Sequence, residues 1–278
     1  MHMLSPLTDQ SILEGDKALM ASSLSKRLHQ ERWPFCLDDL PTGTVLVGGA
    51  VRDGLLGRLE KQPDLDLVVP AKAVELANSF AEKLGGKCVL LDVERDIARL
   101  VFRGWTIDFA RQIGSSLEDD LWSRDYRLNA IALTLEPEPI IVDPTGGVED
   151  IFHKRLVAVK EKNLIEDPLR LLRGLRLMAE HHLLPDTQTI DWIQANSLLL
   201  QTSAPERIQY EIQRLVNASW ADKVIPLLQS IGLLGAWENS LKVVNQGSIF
   251  LQDAKNLFSS KELSCALPLA RLTHLLSD

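Results

Sequence analysis

The sequence predicts an α+β protein, a head with a mixed β-sheet followed by an all-helical neck and partial body. Three observations carry that expectation. Short runs with period-two alternation recur between Thr44 and Ala110, interrupted by a glycine turn and helical segments. After Lys160 those strand patterns stop and helical periodicity takes over. A chain of 278 residues is also long enough for two compact domains, each with a core of its own.

Taken in order, residues 1–43 read as an amphipathic helical lead-in that ends in turns at Pro34 and at Pro41-Thr42-Gly43. TVLV (44–47) is a short buried strand, Gly48-Gly49 breaks it, AVRDGLLG (50–57) opens a helix, and DLDLVV (64–69) is an alternating strand. VELANSFAEKLGG (74–86) is a helix closed by glycines, followed by strands at KCVLLD (87–92), ARLVF (98–102) and TIDFA (106–110). Helices are expected at DPLRLLRGLRLMAEHH (167–182), ERIQYEIQRLVNA (206–218) and LPLARLTHLLSD (267–278). The head is placed at 44–155 and the helical part at 156–278. With no repeat and no low-complexity linker, a packed junction is expected near 155–165.

Bulk properties narrow the function classes. A formal charge of -8 excludes a protein that coats nucleic acid through a general excess of Lys and Arg, so any RNA contact is local. Cys36, Cys88 and Cys265 are odd in number and far apart, which argues for a reducing compartment and against structural zinc. The first twenty residues show no basic start or apolar run, so the expectation is a soluble cytoplasmic protein with no membrane partner.

The chemistry concentrates in two places. Alternation in Pro63-Asp64-Leu65-Asp66-Leu67 puts Asp64 and Asp66 on one strand face. Two adjacent carboxylates repel unless a cation lies between them, and oxygen ligands select a hard ion such as magnesium. Asp108, on a later strand, is a third candidate that would complete a two-metal site. A lone DxD is more often a solvated strand edge. The Gly48-Gly49 turn changes that balance, because glycines before a helix let backbone amides approach phosphates, with Arg52 adding positive charge.

The second place is Glu166-Asp167-Pro168-Leu169-Arg170-Leu171-Leu172-Arg173-Gly174-Leu175-Arg176. Asp167 and Pro168 make a good helix start, with Asp167 as its ordinary N-cap. Arg170, Arg173 and Arg176 would form a basic side opposite a leucine side, and without acids at matching positions they would await an anion. A carboxylate beside a guanidinium, here Asp167 with Arg170, is also able to accept the amino-plus-acceptor edge shared by cytosine and adenine and to reject uracil and guanine.

In that order the motifs resemble the class II tRNA nucleotidyltransferase and poly(A) polymerase family of the polymerase β superfamily, over residues 45–216. LVGGAVRDGLLG with DLDLVV is similar to the family's metal and triphosphate motif. SRDYRLNAIAL is similar to its ribose-contacting motif, VDPTGGVEDI to its hinge segment, EDPLRLLRGLRL to its base-selecting helix, and PERIQYEI to the element that buttresses that helix. The resemblance implies metal ligation by Asp64 and Asp66, a triphosphate at Gly48, Gly49 and Arg52, and nucleotide contacts from Arg124, Asp125, Asn129, Arg170, Arg173 and Arg176. Asp167 and Arg170 would be the template for the incoming base.

The implied activity is template-independent addition of CMP or AMP from CTP or ATP to a tRNA 3′ end. Poly(A) synthesis, a non-catalytic nucleotide- or RNA-binding module, and transfer to a small molecule are the alternatives. Three departures stand out. Ser123, Tyr126 and Arg127 replace the residues usual in the ribose motif. The stretch 108–120 lacks the long flexible segment of many enzymes that add all of CCA, which leaves CC-addition, A-addition and poly(A) synthesis open. The chain also stops short of the body and tail helices common in the family, so a short or truncated member with weak RNA affinity is expected.

Overall fold

The computed structural model describes residues 17–235, 267–272 and 275, and the chain divides into two compact units, 1–153 and 154–278. Cys265, the start of the lead-in and part of the last expected helix lie outside the described residues.

The first unit begins with helix α1 (Lys17–Arg27), which buries Met20, Ala21 and Leu24. Strand β1 (Val45–Val47) runs into Gly48 and helix α2 (Gly49–Leu55), and β2 (Leu65–Val69) follows. Helix α3 (Ala73–Leu84) stops at Gly85 in the left-handed region. Its first amides, on Ala73 and Val74, donate to the Asp96 carboxylate at 3.1 and 2.8 Å, so a hairpin turn distant in sequence caps it. Strands β3 (Lys87–Asp92), β4 (Ile97–Phe102) and β5 (Trp105–Arg111) complete this part.

Next come α4 (Leu117–Trp122), β6 (Ala132–Thr134), β7 (Ile141–Val142) and α5 (Gly147–Phe152). These four lack a sequence signature because each is only one or two turns, or two or three residues, too short for a period to show.

The seven strands form one sheet in the order β3-β4-β5-β2-β1-β6-β7. β2 and β5 are parallel and every other pair is antiparallel. The sheet is therefore mixed, as expected. Residues directly opposite one another share a face. The register pairs Val47 with Asp66, Asp66 with Asp108, Asp108 with Arg99, and Arg99 with Val89, so one cross-strand row runs from β1 to β3. The other face of β4 and β5, with Ala98, Leu100, Ile107 and Phe109 buried, forms the core. There Phe80 of α3 stacks on Phe109 with ring centres 5.7 Å apart.

The second unit contains β8 (Arg155–Leu156), α6 (Glu161–Glu166), α7 (Leu169–His181), β9 (Leu184–Pro185), α8 (Thr187–Ala195), α9 (Pro205–Asn217) and α10 (Ala221–Ile231). It is helical apart from the two-residue parallel pair β8 and β9, a strand contact that the sequence pattern after Lys160 did not show. α7 is central, packing on both α9 and α10. The buried Arg271 donates to the carbonyls of Val216 and Ala218 and pairs with Asp222 at 2.6 Å, tying residues 267–272 to the end of α9 and the start of α10. Among the described residues no helix is long and apolar enough to cross a membrane.

Candidate active site

Asp66 is the second residue of β2, and Asp64 lies immediately before that strand, exposed. The Asp66 carboxyl is turned toward the Gly48-Gly49 turn. Gly48 has φ +71, and a Cβ placed there would lie 2.9 Å from Asp66 Oδ2, so both the backbone conformation and the missing side chain are required. The Gly49 amide, at the first residue of α2, donates to the same carboxyl.

Withdrawal from water and the charge of Asp108 push Asp66 up to about 6, and Asp64 adds to the rise while Arg124 and the Gly49 amide oppose it. Asp64, Asp66 and Asp108 thus crowd like charges beside Arg99 and Arg124, and the oxygen donors of Asp64 and Asp66 fit a divalent cation. Among the described residues no three His, Cys, Asp or Glu side chains are gathered tightly enough to hold a metal by themselves.

Asp108 is opposite Asp66 in register but is engaged elsewhere. Arg99 grips it with Nε at 2.7 Å and Nη2 at 2.8 Å. The proximity to Asp66 expected from sequence is present, and the partner Arg99 is new.

Arg52 is buried and oriented rather than a free charge. Its Nε and Nη2 donate to the two oxygens of Asp53 at 2.9 Å each, and Nη1 donates to Asn129 Oδ1 at 2.7 Å. Asn129 Nδ2 in turn donates to Asp125 Oδ1 at 3.1 Å. Asp125 and Asn129 are therefore joined to Arg52 in one hydrogen-bonded chain. Arg124 lies beside the turn, near Gly48, held by Asp120 at 2.9 and 3.1 Å. Asp120 is itself buried and also accepts from the Ile113 amide at 3.0 Å.

Residues 112–116, between β5 and α4, are pinned by that bond and by a capping box joining Ser116 and Asp119. Behind the site, Arg127 approaches Asp150 at 3.9 Å, and Gly147 passes so close that a Cβ there would overlap the Arg127 carbonyl.

The residues expected to select the base belong to the second unit. Asp167 is not an N-cap: α7 begins at Leu169, and the Asp167 side chain pairs with Arg207 of α9 at 2.9 Å. Its carboxylate is thereby presented rather than consumed by helix amides. Arg170 donates to the Asn163 carbonyl at 3.0 Å.

The basic side of α7 also needs correction. Every residue of α7 except Arg170, Arg173 and Glu180 is buried, Arg176 included. Glu211 of α9 lies between Arg173 at 3.3 Å and Arg176 at 2.5 Å, and Glu180, one turn beyond Arg176, takes its Nη1 at 2.5 Å. Arg173 and Arg176 are matched by acids, one of which arrives from another helix. Arg207 and Glu211 are the Arg and the last Glu of ERIQYE, so the buttress has a concrete form.

Residues 44–157 match the model of the poly(A) polymerase head domain. A CC-adding tRNA nucleotidyltransferase of Synechocystis sp. is 41% identical over 75% of this chain and 50% of its own length. The chain belongs to the class II tRNA nucleotidyltransferase and poly(A) polymerase family. An A-adding relative from Deinococcus radiodurans is 35% identical over 71% of this chain and 45% of that protein. Among solved structures, a tRNA-processing enzyme with CTP superposes with a TM-score of 0.66 at 26% identity, covering 84% of this chain and 67% of that one. The chain spans about half the length of the curated relatives it matches.

Partners of the candidate site residues that the sequence motifs did not name are Asp53, Arg99 and Asp120, whereas Arg207 and Glu211 lie within the PERIQYEI element. Asp53 adjoins Arg52 in sequence, and an acid next to a buried arginine was a usable signal. Asp120 lies four residues before Arg124, a local spacing that was equally usable, whereas Arg99 meets Asp108 across two strands, where spacing along the chain carries no information.

Proposed function

We propose that this protein is a divalent-metal-dependent tRNA nucleotidyltransferase that adds CMP from CTP to a tRNA 3′ end. One observation carries the reading: Asp66 is fastened to the same glycine turn and helix N-terminus that suit a triphosphate, so acid ligands and phosphate donors meet at one point. Magnesium suits the all-oxygen donor set of Asp64 and Asp66. When bound there it would neutralise the reacting phosphate and favour the ionised 3′ hydroxyl.

The chain's own groups do the rest. Arg124, beside the Gly48-Gly49 turn, orients the triphosphate, Arg52 is aimed by Asp53 and Asn129, and Asp167 with Arg170 reads the base edge. The 3′ oxygen attacks the α-phosphorus, and the bond to pyrophosphate breaks in line, with no covalent enzyme intermediate.

Preference for C over the complete CCA rests on the pinned residues 112–116, which leave no room for a long flexible segment, and on the CC-adding relatives. The deciding experiment incubates the protein and magnesium with tRNA transcripts ending before CCA, after the first C, and after CC, each with CTP, ATP or both. Addition of two C residues and no A is expected. Extension of only the transcript ending in CC, with ATP, would replace this reading by A-addition, and long A tails by poly(A) synthesis. D64A or D66A is expected to abolish incorporation while leaving the fold intact.

A further inference from the structure

We infer that Arg99, locked in place by Asp108, binds the backbone phosphate at the 3′ end of the acceptor RNA, with Lys87 marking the path of the strand beyond it. The inference rests on the nucleotidyl-transfer reading and deepens it.

The row Val47-Asp66-Asp108-Arg99-Val89 gives the site a direction. On the β1 side of Asp66 lie the glycine turn and the N-terminus of α2, where the triphosphate fits. In-line displacement requires the attacking hydroxyl to approach from the side opposite the leaving pyrophosphate. That side is β5, β4 and β3.

Exposure agrees with the direction. Val47 on the β1 side is buried, whereas the Arg99 side chain is 42% exposed. Val89 and Val101 on the same face are exposed as well. With strands about 4.8 Å apart, Arg99 starts about 10 Å from Asp66, within reach of the phosphate that precedes a reacting ribose.

The geometry of Arg99 suits this task. Nε and Nη2 are spent on Asp108, which fixes the plane of the guanidinium, while Nη1 has no partner among the described residues. A fork anchored on one edge and open on the other is a preorganised phosphate donor. Lys87, exposed on β3 and opposite Val101, is diagonal to Arg99 on the same face and makes no ion pair with a described residue. Asp108 in this account is the residue that fixes the plane of Arg99.

The test uses the full chain with tRNA lacking CCA. R99Q is expected to raise the KM for tRNA about tenfold while the KM for CTP changes less than about twofold, and R99K should restore part of the loss. A neutral methylphosphonate at the last internucleotide linkage of the acceptor should weaken the wild type as much as R99Q does, and should add nothing in R99Q.

An unchanged KM for tRNA in R99Q, or a wild type indifferent to the methylphosphonate, overturns the inference alone. A wild type that extends no tRNA overturns the proposed function, and this inference with it.

Discussion

At the residue scale the site is governed by one carboxyl. Asp66 is held where it touches Gly48, so G48A must displace it and must also force alanine to φ +71. We expect G48A to cost about 1–3 kcal/mol of stability and most of the activity, measured by thermal melting and by CMP incorporation. Asp66 also links pH to stability. Its folded pKa of about 6 stands above the ordinary 3.8. Between those values the folded protein keeps a proton that the unfolded chain has lost, so the metal-free protein weakens as pH rises through that window. Asparagine at this position cannot ionise. D66N should therefore stabilise the metal-free protein above pH 6 by about 1–3 kcal/mol, the gain vanishing toward pH 4. Magnesium should raise the melting temperature of the wild type and not of D66N; equal melting curves for the two at every pH would count against the raised pKa.

At the element scale, α7 shows how a polar helix is buried safely. Glu211 is buried between Arg173 and Arg176, and removing it leaves a buried guanidinium short of a partner. E211A should cost about 3–5 kcal/mol in a denaturant titration, and E211A combined with R176M should recover part of it. Arg207 is different, because its pair with Asp167 is half exposed. R207A should change stability by less than about 1 kcal/mol yet let Asp167 swing, lowering discrimination of CTP against UTP about tenfold, as read in single-nucleotide incorporation. The contrast marks what was legible in the sequence. Asp64, Asp66 and the glycine turn lie within twenty residues of one another, where strand alternation and turn chemistry act locally, and their placement on adjoining elements could be read directly. The strands β4 and β5 were readable for the same reason, since burial alternates along both, while β3 was legible only as a short run of strand-forming residues. The acids that match Arg173 and Arg176 were misjudged because Glu211 comes from another helix and Glu180 lies one turn beyond the motif. Asp108 could be placed on its strand, but its engagement by Arg99 depends on the register of β4 against β5, which no spacing along the chain encodes.

At the scale of the whole molecule, the charge of -8 and the proposed RNA substrate have to be reconciled. A polyanion is repelled by most of such a surface, so productive binding must use a few well-aimed cations, and the proposed track of Arg99 and Lys87 on an open sheet face is of that kind. The consequence is measurable in salt. Each phosphate neutralised on a single strand contributes about 0.7 to the slope of log affinity against log salt. Two to four contacts therefore predict a slope of about -1.5 to -3, with R99Q and K87Q each reducing its magnitude by about 0.7. Fluorescence anisotropy with a labelled tRNA lacking CCA, titrated across a range of salt, reads this directly. Duplex DNA should bind far more weakly at the same ionic strength, because it offers no free 3′ strand to the row beside Asp66. A slope near -7, or equal affinity for duplex DNA, would mean a broad basic surface that neither the composition nor the described residues provide.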